Sequence, residues 1–135
     1  MSQPSLPPVK PTAWVVCLCA DWCGTCRDYA AVFAEVFAGL APGNRALRFA
    51  WLEVEEPSGP ADGLDLETFP TLLLADAQGI RFFGPLVPHA STLARLLDAM
   101  ASDSLPVLAP VAELTRLVQT LALSPQYWLH AHTPK

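Results

Sequence analysis

Ala13-Trp14-Val15-Val16-Cys17-Leu18-Cys19 is followed, after Ala20 and Asp21, by Trp22-Cys23-Gly24-Thr25-Cys26. The first stretch is apolar and reads as a buried strand. The residues after Cys26, Arg27 to Ala38, are rich in Ala, Glu, Phe and Val and hold no proline or glycine, so they read as a helix. Cys23 is therefore expected at the N-terminus of a helix, just past the end of a strand. Backbone N–H groups and the helix dipole favour an anion at such a place. A thiolate is such an anion and is the reactive form of cysteine. The spacing offers a nucleophile at Cys23 and a resolving thiol, Cys26, one helical turn later.

Further along, Phe69-Pro70-Thr71 runs into Leu72-Leu73-Leu74. With Trp22, Cys23, Gly24, Thr25 and Cys26, this second segment resembles the thioredoxin family over roughly Ala13 to Met100. The resemblance implies that Phe69, Pro70 and Thr71 form the family's cis-proline loop, packed beside the cysteine pair and shaping a substrate groove. It implies a thiol–disulfide oxidoreductase in which Cys23 and Cys26 are catalytic, with Trp22, Gly24 and Thr25 supporting the site. Disulfide-containing proteins would be the substrates, and a thiol or a reductase would be the electron donor. No cofactor or metal is expected, because the thiols themselves carry the electrons.

Around these motifs the chain reads as a minimal thioredoxin-like α/β domain. Trp14–Cys19 is the first strand, Cys26–Ala38 a helix ended by Gly39, and Leu47–Val54 a second, parallel strand. Glu55 to Leu64 contains Pro57, Gly59, Pro60 and Gly63 and reads as a loop. Thr71–Ala75 and Ile80–Phe83 flank Asp76-Ala77-Gln78-Gly79 as an antiparallel hairpin. Ser91 reads as the N-cap of a helix through Met100. The domain is expected over 13–102, preceded by a flexible arm at 1–12 with four prolines and lacking the family's usual first strand and helix. A C-terminal extension, 103–135, is expected to pack on the same domain. Within it Val111, Leu114, Leu117, Val118 and Leu121 recur at helical spacing, so Pro110–Leu123 reads as an amphipathic helix covering the sheet. Docking to a partner is the alternative for that helix, and the role of Tyr127-Trp128-Leu129 is open.

Composition excludes several classes of function. The 135 residues are 52% hydrophobic, enough for one core, and the net charge of −5 without a basic cluster argues against nucleic acid. No apolar run reaches the ~18 residues of a membrane span, and no secretory segment is evident. A cytoplasmic protein is the expectation. In a reducing compartment, four cysteines within ten residues are more readily catalytic or metal-binding than structural.

Cys17 and Cys19 depart from the family pattern. Cys17 stands where the family carries a buried aspartate, and Cys19 where many members have an aromatic. Strand alternation points both toward the active-site helix. Both read as small, inert core residues, with Cys17 a possible third redox thiol. Four cysteines also suffice for zinc or an iron–sulfur cluster, but Cys17 and Cys19 lie on a strand the core must bury. Thr25 replaces the proline of the common motif and brings a further N–H toward Cys23, which favours a more oxidising pair. Ala31, where a kinking proline is common, predicts a straighter helix. His89, His130 and His132 read as surface residues. Asp21, Glu53 and Glu55 read as solvated acidic residues, with electrostatic tuning of the motif as the alternative. A thioredoxin-like chaperone or assembly module, without turnover, is the main alternative function.

Overall fold

The computed structural model describes residues 13–40 and 47–129. The proposed arm at 1–12, His130 and His132 lie outside the described residues.

Strand β1 (Ala13–Cys19) is buried along its whole length because both faces of the sheet are covered. It pairs in parallel with β2 (Leu47–Glu53), from Ala13 opposite Leu47 to Cys19 opposite Glu53. Its other edge pairs antiparallel with β3 (Thr71–Asp76). A hairpin joins β3 to β4 (Gly79–Pro85), completing the sheet order β2-β1-β3-β4. The hairpin turn is built from side chain and backbone together. The Gln78 N–H donates to Asp76 Oδ1 at 2.9 Å, and Gly79 takes a φ of +138° that other residues rarely adopt.

Helix α1 (Gly24–Leu40) connects β1 to β2 across one face and buries Cys26, Tyr29 and Phe33, spaced for a single helical stripe. It starts earlier than the sequence suggests and runs through Gly39. Helix α2 (Ala90–Ala101) packs on the same face through Leu93, Leu97 and Met100. Its N-cap is His89, not Ser91, which falls inside the first turn. The helix starts two residues earlier than the serine suggested, and no side chain caps the end.

The opposite face is closed by α3 (Ala112–Ala122), whose Leu114, Leu117 and Leu121 pack against Trp14, Val16, Leu18, Leu52 and Leu73. The amphipathic helix expected near 110–123 thus lies on the sheet. The segment after it also docks. Trp128 forms a bridge to Ala50 at the exposed edge of β2, and the Leu129 N–H donates to Phe49 O at 2.8 Å. The Trp128 indole donates to Leu121 O at 2.8 Å, and its ring lies 4.2 Å beneath the Arg48 guanidinium. Tyr127-Trp128-Leu129 is therefore a clamp between α3 and β2. No helix among the described residues is long and apolar enough to cross a membrane.

Candidate functional site

The C-terminal ends of β1 and β2 and the start of α1 converge on the cysteines. A tight turn follows β1, with the Cys23 N–H donating to Ala20 O at 3.0 Å, and Gly24 begins α1. Cys23 is half-buried and its thiol is free. Cys26, one turn on, is 2% exposed and points inward. The accessible sulfur thus lies in the turn just before the helix and the buried one in the helix's first turn. Gly24 and Thr25 lie on the exposed side of this first turn.

Trp22 joins this turn to the loop before β3. Its ring is 63% exposed, meets Phe69 edge-on at 5.7 Å, and donates its indole N–H to Glu55 Oε2 at 2.9 Å. The Phe69–Pro70 peptide bond is cis, and Pro70 is buried. The Thr71 hydroxyl donates to Thr68 O, holding the loop closed on itself. The Leu86 N–H donates to Pro70 O at 3.0 Å, which brings the exposed Val87 next to this loop. The two segments singled out in the sequence, residues 22–26 and 69–71, thus meet through an aromatic contact.

The cysteine bonding differs from the sequence reading. The disulfide joins Cys19 to Cys26, with Cα atoms 5.8 Å apart. The motif leads one to expect Cys26 linked to Cys23, with Cys19 an inert apolar residue. That reading of Cys19 is corrected. The reason is strand parity: β1 aims Cys17 and Cys19 at the same side, and Cys19 ends the strand directly beneath the first turn of α1. Cys17 lies deeper, its Sγ 3.7 Å from Cys19 Sγ. Burial pushes the Cys17 thiol strongly up from its ordinary range. Burial does the same to Tyr29, with the Cys17 charge adding to it, and the Tyr29 hydroxyl has no hydrogen-bond partner among the described residues.

A cavity of about 250 Å³ opens beside the disulfide, lined by Cys19, Cys26, Asp21, Arg27, Trp51 and Glu53, among others. It brings a carboxylate, Glu53, to the same space as both bonded sulfurs. The Arg27 guanidinium donates to Asp21 O at 3.0 Å and adds positive charge at the rim. Among the described residues, no group of three or more His, Cys, Asp and Glu side chains is placed to hold a metal ion. The sequence did not reveal the Trp22–Glu55 hydrogen bond, which depends on how the loop after β2 folds back.

Comparison with known proteins follows the same lines. Among solved structures, the chain resembles a germline-specific thioredoxin, Deadhead, from Drosophila melanogaster at 11% identity and a TM-score of 0.56, covering 68% of this chain and 84% of that one. A malarial protein matches at 14% identity and a TM-score of 0.53, covering 64% of this chain and 94% of that one. Identities this low speak to the fold alone. No curated protein sequence matches the chain. The sequence profile of the thioredoxin family matches residues 9–98, a span that takes in the cysteine turn, the cis-proline loop, the whole sheet and most of α2. On that match, and with the sheet and helices arranged as described, the chain belongs to the thioredoxin family.

Proposed function

We propose that this protein is a thiol–disulfide oxidoreductase that reduces disulfides of other proteins through Cys23 and Cys26. Membership of the thioredoxin family supports redox exchange in general. The observation that carries the finer reading is the pair of sulfurs at the start of α1, one accessible just before the helix and one buried in its first turn.

In this reading the Cys23 thiolate attacks a substrate disulfide. A Cys23–substrate bond forms, the substrate bond breaks, and one substrate thiolate leaves. Cys26 then gives up its proton to solvent and attacks Cys23 Sγ, releasing the second substrate thiolate. The substrate has gained two electrons and the enzyme holds a disulfide, which an external thiol donor reduces. The exposed side chains of Trp22, which meets Phe69, and Val87, which follows the Leu86–Pro70 hydrogen bond, supply apolar surface for an extended peptide. The cytoplasm is the compartment we propose, where disulfides are typically transient and catalytic.

Reduction of insulin by dithiothreitol, followed by turbidity, tests the proposal. The protein is expected to accelerate precipitation catalytically. Binding of insulin without acceleration would instead support an assembly module.

A further inference from the structure

Two sulfurs compete for Cys26. Cys23 lies just ahead of α1, in the turn that leads into it, while Cys19 reaches Cys26 from β1 and is bonded to it. Both bonded sulfurs are buried, Cys19 at 1% and Cys26 at 2% exposure, whereas Cys23 remains a thiol at the surface turn. A bond in this position cannot form by direct attack of the buried Cys19 thiolate on a bulky substrate disulfide. Internal exchange provides the route.

We propose that Cys19 is a third catalytic thiol, which takes Cys26 from Cys23 after each turnover and draws the disulfide into the core. The proposal rests on the exchange chemistry assigned above to Cys23 and Cys26. Once the Cys23–Cys26 bond has formed, Cys19 releases its proton to water in the adjoining cavity, which the Glu53 carboxylate also lines. The Cys19 thiolate attacks Cys26 Sγ. The Cys19–Cys26 bond forms, the Cys23–Cys26 bond breaks, and Cys23 leaves as a thiolate. No electrons enter or leave in this step, because one disulfide replaces another.

The reverse step restores the cycle. Cys23 attacks Cys26 Sγ, Cys19 departs and regains a proton, and an external dithiol then supplies two electrons to the accessible Cys23–Cys26 bond. The Cys17 thiol, 3.7 Å from Cys19 Sγ, is placed to donate a hydrogen bond to the departing Cys19 sulfur, which makes it a positioning residue. The consequence is directional. Oxidised protein hides its disulfide from client thiols, so it does not readily oxidise them, while Cys23 stays available.

Titration of the fully reduced, folded protein with 5,5′-dithiobis(2-nitrobenzoate) reads this exchange. The reagent loads Cys23 and releases one thionitrobenzoate, and resolution by Cys26 releases a second. If Cys19 then frees Cys23, a further reagent molecule reacts. Wild type should release about three equivalents and Cys19→Ser about two. Peptide mapping of oxidised wild type, alkylated before unfolding, should show the Cys19–Cys26 link with Cys23 alkylated. This second measurement needs no variant to fold. In Cys19→Ser the link should move to Cys23–Cys26. Two equivalents from both proteins, with a Cys23–Cys26 link alone in wild type, would overturn the proposal while leaving the reductase reading intact. The predicted titration and map without insulin turnover would uphold the internal exchange and remove the reductase reading.

Discussion

From β1, Trp14, Val16 and Leu18 project to one face of the sheet, and Val15, Cys17 and Cys19 project to the other. The first set meets α3 and the clamp around Trp128, an apolar layer whose polar groups serve mainly to fix the chain end. The second set meets α1 and α2, and there Cys19 is bonded to Cys26 in the first turn of α1, with Cys17 Sγ 3.7 Å from Cys19 Sγ. Both faces are equally well buried. They differ in what the buried atoms can do, because a thiol satisfies a core position as a small apolar group and still exchanges bonds with a neighbouring sulfur. One strand thus builds a wall on one side and a reaction site on the other, and the alternation of its side chains keeps the two apart.

That separation makes distinct claims about each face. Truncating α3 should cost stability and little else. Leu117→Ala or Leu121→Ala removes a side chain at 2% or less exposure from the apolar face, for an expected loss of about 2–5 kcal/mol. Insulin reduction per folded molecule should be unchanged. Denaturant unfolding and a turbidity assay at matched folded concentration check this. A proportionate fall in turnover would mean that the two faces are coupled.

The cysteine face should instead announce itself through pH. Burial raises Cys17 and Tyr29 above their ordinary ranges, so both keep their protons in the fold to higher pH than in the unfolded chain. Unfolding above pH ~8.5 then releases a proton from Cys17, and stability falls as pH rises, by up to ~1.4 kcal/mol per unit. Tyr29 adds to the fall above pH ~10. Below pH ~8.5 the contribution is fully present. Cys17→Ala should weaken the fold modestly at neutral pH and flatten the decline between pH 8.5 and 10. Denaturation series at several pH values for both proteins measure it, and parallel curves would show that Cys17 is not titrating in this way.

Legibility in the sequence follows the same division. The strands and helices around residues 13–101 were visible because apolar runs, turn residues and helix formers alternate sharply there. The cysteine turn and the cis-proline loop were visible as motifs, and the contact between Trp22 and Phe69 supplies the geometry that joins them. The face of α3 was readable from its spacing, and so was its place on the sheet, because an apolar stripe of that kind is usually covered by the core. The bond at Cys19 lay beyond the motif for a different reason. Alternation gave the side to which Cys19 points, but reaching Cys26 depends on how far β1 extends beneath α1. The clamp at Trp128 depends likewise on the chain returning to an open strand edge, a long-range event with no local signature.

The assignment of Cys23 as nucleophile and Cys26 as resolving thiol is tested most directly by trapping. Cys23→Ser and Cys26→Ser variants are incubated, reduced, with a disulfide-bonded protein such as insulin, quenched by alkylation in acid, and analysed by mass under non-reducing conditions. Cys26→Ser should accumulate a mixed disulfide that maps to Cys23, because nothing on α1 remains to release the substrate. Cys23→Ser should form no such adduct, and its turnover should fall by more than about 10³-fold. Equal adducts from both variants, or an adduct on Cys26 in Cys23→Ser, would contradict the assignment.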